Sequence, residues 1–311
     1  MKTRLLLIAL LASFSSFGQD LTPCSVNNEI VYHSFYKLSY SEIDEQAEWV
    51  YYELNPSKQN TYITRSDNFR PDLKVSSQSA QLSDYYKSGY DRGHLAPAND
   101  MKYSSLSMSE SFLLSNISPQ DPSFNRGIWK RLEQQIHNWA IQYNKLVIIT
   151  GPILNGEYYG AIGSNLVSIP KYYYKVIIDP TDYYRNIAFI IENKKSNDNL
   201  QDFVVSIDSL ESITGIDFFC ELDEKEEETI ESSISLSIWN WGNVSKHNNS
   251  QSSNRSTEQT NSTSKTVYKT STGKKYHQGS CRYLSKSKIA LDLNEAKRIG
   301  LLPCSVCKPH H

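Results

Sequence analysis

Between His247 and Ser264 the chain is almost entirely Ser, Asn, Thr and Gln. Such a stretch offers too little apolar surface to offset the entropy lost on ordering, so it reads as a linker. It divides the sequence into a folded domain over 19–240, a linker over 241–265 and a small module over 266–311. Ahead of them, Met1–Gly18 carries Lys2 and Arg4, an apolar run Leu5–Phe14, and small residues Ser16 and Gly18 ahead of Gln19. That is the pattern of a secretory signal peptide, and it predicts a secreted or periplasmic protein. The run is too short to span a bilayer comfortably, and Cys24 lies too far beyond it for a lipoprotein anchor, so no membrane span is expected.

The larger domain reads as α+β, with a mixed or antiparallel sheet as its core. Tyr36–Tyr40 and Trp49–Leu54 are aromatic and partly alternating, as strands are. Lys145–Thr150 is a short β-branched run suited to a buried strand. Tyr172–Ile178 and Ile187–Ile191 are two further strands, with Asp179–Asp182 as the turn between them. A helical pattern runs from Asn125 through Ala140. Within Val204–Phe219 a short strand precedes a helix, with Asp208 as its cap and Glu211 three residues on. The acidic run Glu224–Glu231 suits a solvated helix face or an edge. Ser66–Ser83 reads as a polar loop.

Chemistry concentrates in Gly89–Asp100. Asp91-Arg92-Gly93-His94 sets a planar cation that suits phosphate beside the one side chain that titrates near neutrality. Pro97 stops regular structure, which places His94 near the end of a strand. Taken alone, four such residues equally describe a solvated turn. About thirty residues on, Ser115–Gln120 reads as a polar turn leading into the helical pattern. There Asn125, Trp129 and Glu133 follow at i, i+4 and i+8, climbing one side of a helix. An amide oxygen and a carboxylate in that position suit a hard cation such as Mg²⁺; they equally suit an N-cap and a surface acid. The net charge of −2 is weak evidence against a nucleic-acid partner, because a cleft needs only local positive potential.

Together these segments resemble the non-specific DNA/RNA endonucleases, the ββα-metal or His-Me finger nucleases. The resemblance rests on Asp91-Arg92-Gly93-His94 with Ala96-Pro97, on Asn116 with Pro119-Gln120, and on Asn125 with Trp129 and Leu132-Glu133. Weaker matches, among them Arg65 with Phe69 and Asp72, extend it over roughly residues 30–220. It implies a ββα-metal catalytic motif and Mg²⁺-dependent hydrolysis of phosphodiesters in DNA and RNA. It assigns His94 as general base and Asn125 as the Mg²⁺ ligand, with Glu133 ordering the cation's water shell. Arg92 neutralises the phosphate, and Asn116 fixes the base or cleft by hydrogen bonds. Arg65 is the better match to a phosphate-holding arginine, with Arg70 its rival. The alternative keeps the fold without catalysis: a secreted nucleic-acid-binding protein that relies on its basic tail.

Five cysteines cannot all pair within one chain. Cys24 and Cys220 bracket the larger domain, and export would let a disulfide join its ends. The other three lie in the tail, as His277-x3-Cys281 followed by Cys304-x2-Cys307. Two ligand pairs on separate turns suit a closed tetrahedral Zn²⁺ site, with His310 as a possible substitute for His277. A Cys304–Cys307 disulfide with one free thiol is the competing reading. A short helix, Leu293–Ile299, separates the pairs. The tail resembles small zinc modules related to the metal-binding part of DNA alkyl-repair proteins. Nine basic residues there, from Lys269 to Lys308, face only Asp292 and Glu295, which suits a tether to nucleic acid or to an anionic cell surface.

Overall fold

The computed structural model describes residues 21–24, 29–232, 234–241, 266–270, 275–284, 287–293, 296 and 301–307. The signal-peptide and linker readings, and His310, lie outside them. The chain divides into two compact units, Met1–Val244 and Ser245–His311.

In the first unit β1 (Glu29–Tyr32), β2 (Tyr36–Ser41) and β3 (Gln46–Leu54) form an antiparallel meander. The polar segment that follows has a 3-10 turn, Pro56–Lys58, and a short helix, α1 (Leu82–Tyr85). Next come β4 (Asp91–His94), α2 (Ser105–Glu110) and β5 (Ile117–Gln120). A three-residue helix, α3 (Pro122–Phe124), and one π-helical turn over Asn125–Trp129 lead into α4 (Lys130–Tyr143). The remaining strands are β6 (Leu146–Pro152), β7 (Tyr158–Ile162), β8 (Val167–Pro170), β9 (Tyr172–Asp179), β10 (Asp182–Glu192) and β11 (Val204–Val205). Helices α5 (Ile207–Thr214) and α6 (Glu224–Glu231) close the unit.

The core is a seven-stranded sheet in the order β1-β2-β3-β6-β9-β10-β11, and every pairing in it is antiparallel. Strand periodicity of two gives the sheet two apolar faces. Leu146, Ile148, Tyr173 and Ile177 join Leu132, Ile136 and Trp139 of α4 in one core. Their neighbours Val147, Ile149, Tyr174 and Val176 pack with Ile207, Leu210 and Ile230 of α5 and α6 in the other. Two layers of helices therefore flank one sheet, and the fold is α+β with an antiparallel core. A disulfide joins Cys24 to Cys220, with Cα atoms 6.1 Å apart. Among the described residues no helix is long and apolar enough to cross a membrane.

Several local expectations are corrected. Only the start of Ser115–Gln120 is a turn, within the 3-10 segment Leu114–Asn116: its last four residues are β5, which pairs antiparallel with β4 from Asp91↔Gln120 to His94↔Ile117. Polarity concealed the strand, because Ser118 is fully buried yet bonded to Tyr173 Oη at 2.6 Å. The helix after Asn125 opens with the π turn, whose Gly127 has non-helical angles (φ −105, ψ −107), so Asn125, Trp129 and Glu133 do not form one stripe. Trp129 is fully buried, whereas the other two are half-buried. Helix α5 is capped by Ser206, whose side chain accepts from Ser209 N, and not by Asp208. Burying Ile207 together with Leu210 requires the helix to begin at Ile207. The Glu224–Glu231 run is a helix, but its last residue is buried rather than solvated.

The second unit holds β12 (Thr266–Lys269), β13 (Lys275–His277), β14 (Ile289–Asp292) and β15 (Leu302–Pro303) in one sheet of order β14-β12-β13-β15. Of the helix expected over Leu293–Ile299, only Leu293 and Ala296 are described, and both are buried.

Candidate active site and cysteine cluster

The hairpin β4–β5 builds the site from its own alternation. Arg92 and His94 lie two residues apart and so share a face. Gly93 faces the other way, where a Cβ would stand 2.2 Å from the Gln120 side chain. Only glycine lets the two strands close over that glutamine.

His94 ends β4, set edge-on to Phe112 with ring centroids 4.8 Å apart and 5.5 Å from Phe69. Those two rings also carry the arginines. The Arg92 guanidinium lies 4.3 Å from the Phe69 ring centre, and that of Arg65 lies 4.8 Å from Phe112. Burial first, then the charges of Arg65 and Arg92, push the His94 imidazole down to about 3, against an opposing pull from Asp67. The ring is therefore neutral at ordinary pH, and its buried Nε2 has no hydrogen-bond partner. Arg70 turns away: its Nη1 donates to the carbonyls of Asn68 and Ser109, at 3.2 and 2.9 Å. Of the two rival arginines, Arg65 is the one whose charge acts on His94.

Asn125 is held from one side. Its Nδ2 donates to Asp91 Oδ2 at 2.9 Å, which leaves Oδ1 as the amide atom without a protein partner among the described residues. Asp91 is fixed in turn by two bonds from Arg126, at 2.8 and 2.6 Å. Glu133 likewise makes no hydrogen bond within the described protein. Burial pushes its carboxyl up to about 7, with Lys175 opposing and Asp100 adding to the rise. An amide oxygen and a carboxylate without hydrogen-bond partners in the protein are the donor types a hard divalent cation takes.

Asn116 does not reach the cleft. It is fully buried, its Oδ1 accepts from Ala96 N at 2.9 Å, and its Nδ2 donates to the carbonyls of Ala96 (3.0 Å) and Ser111 (2.9 Å). Its amide is engaged by the backbone just beyond His94, so it anchors that segment, and its burial keeps it away from a base. Of the two parts of the expectation for Asn116, hydrogen bonds that fix the cleft match these contacts, and a contact to a base does not.

Two residues with no role assigned from sequence support the site. Asp91 fixes Asn125, and the Arg126-Gly127 that follows Asn125 was the available signal. Lys175 is fully buried on β9, between the apolar Tyr173 and Ile177 of the same sheet face. Its Nζ lies 4.5 Å from the Trp129 ring centre and donates to Thr150 Oγ1 (3.1 Å) and the Leu95 carbonyl (3.3 Å). A lysine in an apolar strand was a visible anomaly, since such burial requires compensation.

In the second unit the ligating atoms of His277, Cys281, Cys304 and Cys307 all lie within 4.8 Å of one another. His277 Nδ1 is 3.2 Å from Cys281 Sγ and 3.9 Å from Cys307 Sγ. The three cysteines are free thiols, which leaves the Cys304–Cys307 disulfide unformed. Burial raises the Cys304 thiol, but donation from the backbone of Cys307 and Val306 outweighs it, and the net shift is downward. Bonds of about 2.3 Å to sulfur and about 2.0 Å to nitrogen would set tetrahedral ligands somewhat under 4 Å apart, so the cluster fits zinc.

The fold agrees with that of a known nuclease. The profile of the DNA/RNA non-specific endonuclease family matches residues 15–225, and the chain belongs to that family. It is thereby a nuclease, an enzyme that acts on nucleic acid. A nuclease of Nostoc is 33% identical over 233 residues, covering 70% of this chain and 82% of its own. The human mitochondrial nuclease EXOG is 32% identical over 230 residues, 68% of this chain and 61% of its own length. Among solved structures, a chain of the EndoG/EndoGI complex superposes with a TM-score of 0.59 at 30% identity, covering 64% of this chain and 89% of that one.

Proposed function

We propose that the protein is an exported, Mg²⁺-dependent endonuclease that cleaves both DNA and RNA, with His94 as its general base. The observation that carries this reading is the neutral imidazole set between two guanidinium groups on aromatic rings. A neutral ring has the lone pair needed to take a proton from water. Arg65 and Arg92 hold the scissile phosphate by charge and planar donors. Burial is the first cause that depresses His94; a bound phosphate would offset the second, the arginine charges, and so shift the imidazole upward. Asn125 Oδ1 would hold the divalent cation and Glu133 would order its water shell; when bound, the cation supplies positive charge against the negative charge developing on the phosphate and leaving oxygen. Asp91 keeps the amide oxygen of Asn125 turned outward, and Lys175 braces the Leu95 peptide next to His94. These groups address phosphate and metal rather than base edges, which supports cleavage with little base preference.

Export rests on Met1–Gly18, and the tail is a zinc module held by His277, Cys281, Cys304 and Cys307 on a linker over 241–265. Its basic residues serve as a nucleic-acid tether. The test is cleavage of plasmid and of RNA by the protein from Gln19, with Mg²⁺, with EDTA and with His94→Ala. The expected result is metal-dependent loss of both substrates, reduced on the order of 10³-fold by the substitution. A folded wild type without cleavage would favour a nucleic-acid-binding protein built on the same scaffold.

A further inference from the structure

Two open cavities meet at one end of the large sheet, and the nuclease site uses neither. One, of about 360 Å³, lies where β1, β2 and β3 end; the other, of about 240 Å³, lies beside β3 and β6. They share Tyr51 and Glu53, so together they form one trough. Strand alternation decides what faces it. Tyr32 pairs with Lys37, and Lys37 with Tyr51, in one cross-strand row. Their chain neighbours Val31, Leu38 and Val50 belong to the core shared with α4, which turns the row to the other face. Helices α5 and α6 cover that face elsewhere, but Tyr32 remains 66% exposed.

Rings and cations alternate along this trough. Lys37 Nζ stands 4.6 Å from the Tyr51 ring centre. At the rim Phe35, 40% exposed, stacks on Tyr103 with ring centroids 4.7 Å apart and planes 2° from parallel. Tyr103 is itself fixed, since its Oη donates to the Glu53 carbonyl at 3.1 Å and accepts from Asn55 N at 2.8 Å. Lys58 lines the first cavity and is exposed, and Lys145 lines the second beside Tyr183. The acid among the lining residues, Glu53, is paired with Lys145 Nζ at 2.7 Å. Lysines suit phosphates, and flat exposed rings suit the faces of bases, which only an unpaired strand can offer.

We propose that this trough is an accessory site for single-stranded nucleic acid. Bases stack on Tyr32 and on Phe35, which Tyr103 backs, while Lys37, Lys58 and Lys145 meet the phosphates. The inference rests on the chain's acting on nucleic acid, and not on the roles given to His94 or Asn125. Tyr103 and Phe112 bracket α2, so the rim of the trough and the ring beside His94 belong to one short segment. A strand held in the trough keeps its flanking nucleotides at high local concentration near the hairpin. Unpaired substrate is thereby favoured over duplex.

The test is fluorescence anisotropy of a labelled oligothymidylate, and of a duplex of the same length, with the full chain in Mg²⁺-free buffer. Gels confirm that the oligonucleotides stay intact. Tyr32→Ala and Phe35→Ala are each expected to weaken binding of the single strand by about tenfold and to leave the duplex affinity unchanged. Lys58→Ala should lower the slope of log K against log salt by about 0.7 for the single strand. Polyphosphate, which has charge but no bases, should compete less well than oligothymidylate at equal phosphate concentration. Should Phe35→Ala melt early through loss of its stack on Tyr103, Tyr32→Ala carries the comparison. Single-strand affinity unchanged in both ring variants, an equal loss on duplex, or equal competition by polyphosphate overturns the proposal. A wild type that binds through these rings yet cleaves nothing supports the trough while counting against His94 as the base.

Discussion

The hairpin site and the cysteine cluster both present side chains of the types that bind metals, but in opposite styles. The cysteine cluster brings four ligating atoms together from two turns, three of the four residues buried, and leaves no position open. The hairpin site offers one amide oxygen and one carboxylate, both half-buried, beside an imidazole that has a lone pair to spend. A closed set of soft ligands suits an ion that holds a small fold together, whereas an open set of oxygens suits an ion that must meet substrate and water. The lesson is that the number of positions left open, more than the presence of ligands, separates chemistry from architecture.

The largest effect expected is at the open site. Loss of the base in His94→Ala lowers turnover by about 10³-fold while the melting temperature stays near that of wild type. At the closed site Cys304→Ser should do the reverse. Zinc content, read by atomic absorption, falls from about one equivalent toward zero and the tail unfolds, because binding energy there is folding energy. Cleavage of short DNA by the first unit continues; a parallel collapse of turnover would break the separation of roles.

Asn116 sharpens the comparison from the scaffold side. Asn116→Ala leaves the Ala96 and Ser111 backbone groups without their buried partners, at a cost of about 2–3 kcal/mol, seen as a lower melting temperature. At a temperature where the variant is folded, KM should stay close to wild type, since the amide faces no substrate. A smaller effect is expected at Arg65→Gln. Removing that positive charge raises the His94 pKa from about 3, so the acid limb of the kcat/KM profile moves to higher pH and KM rises several-fold. An unmoved acid limb would detach Arg65 from the base.

Much of this was legible in the chain because it is written in local pattern. The β-branched run at Lys145–Thr150, the turn at Asp179–Asp182 and the acidic helix at Glu224–Glu231 follow from short-range rules. The strand at Ile117–Gln120 did not, since Ser118 and Gln120 look solvent-facing and only their tertiary partners make them core. Strands Tyr158–Ile162 and Val167–Pro170, and helix Ser105–Glu110, lack strong periodicity. At the site, the spacing of Asp91 to His94 and the position of Asn125 were visible, but the burial of Asn116 was not. Which way an amide faces depends on packing between segments about twenty residues apart, such as Ala96 and Asn116. The Lys175 network is of the same kind: one anomalous lysine in an apolar strand, with meaning only once Leu95, Thr150 and Trp129 surround it.

The most direct test of the open site is a Mg²⁺ titration of plasmid cleavage by wild type and Asn125→Ala, both checked for native melting. If Asn125 Oδ1 holds the catalytic cation, the variant requires far more Mg²⁺ for half-maximal cleavage or shows none at any concentration. An Asn125→Ala enzyme with the Mg²⁺ dependence and rate of wild type would contradict the account and remove the cation from this side of the hairpin.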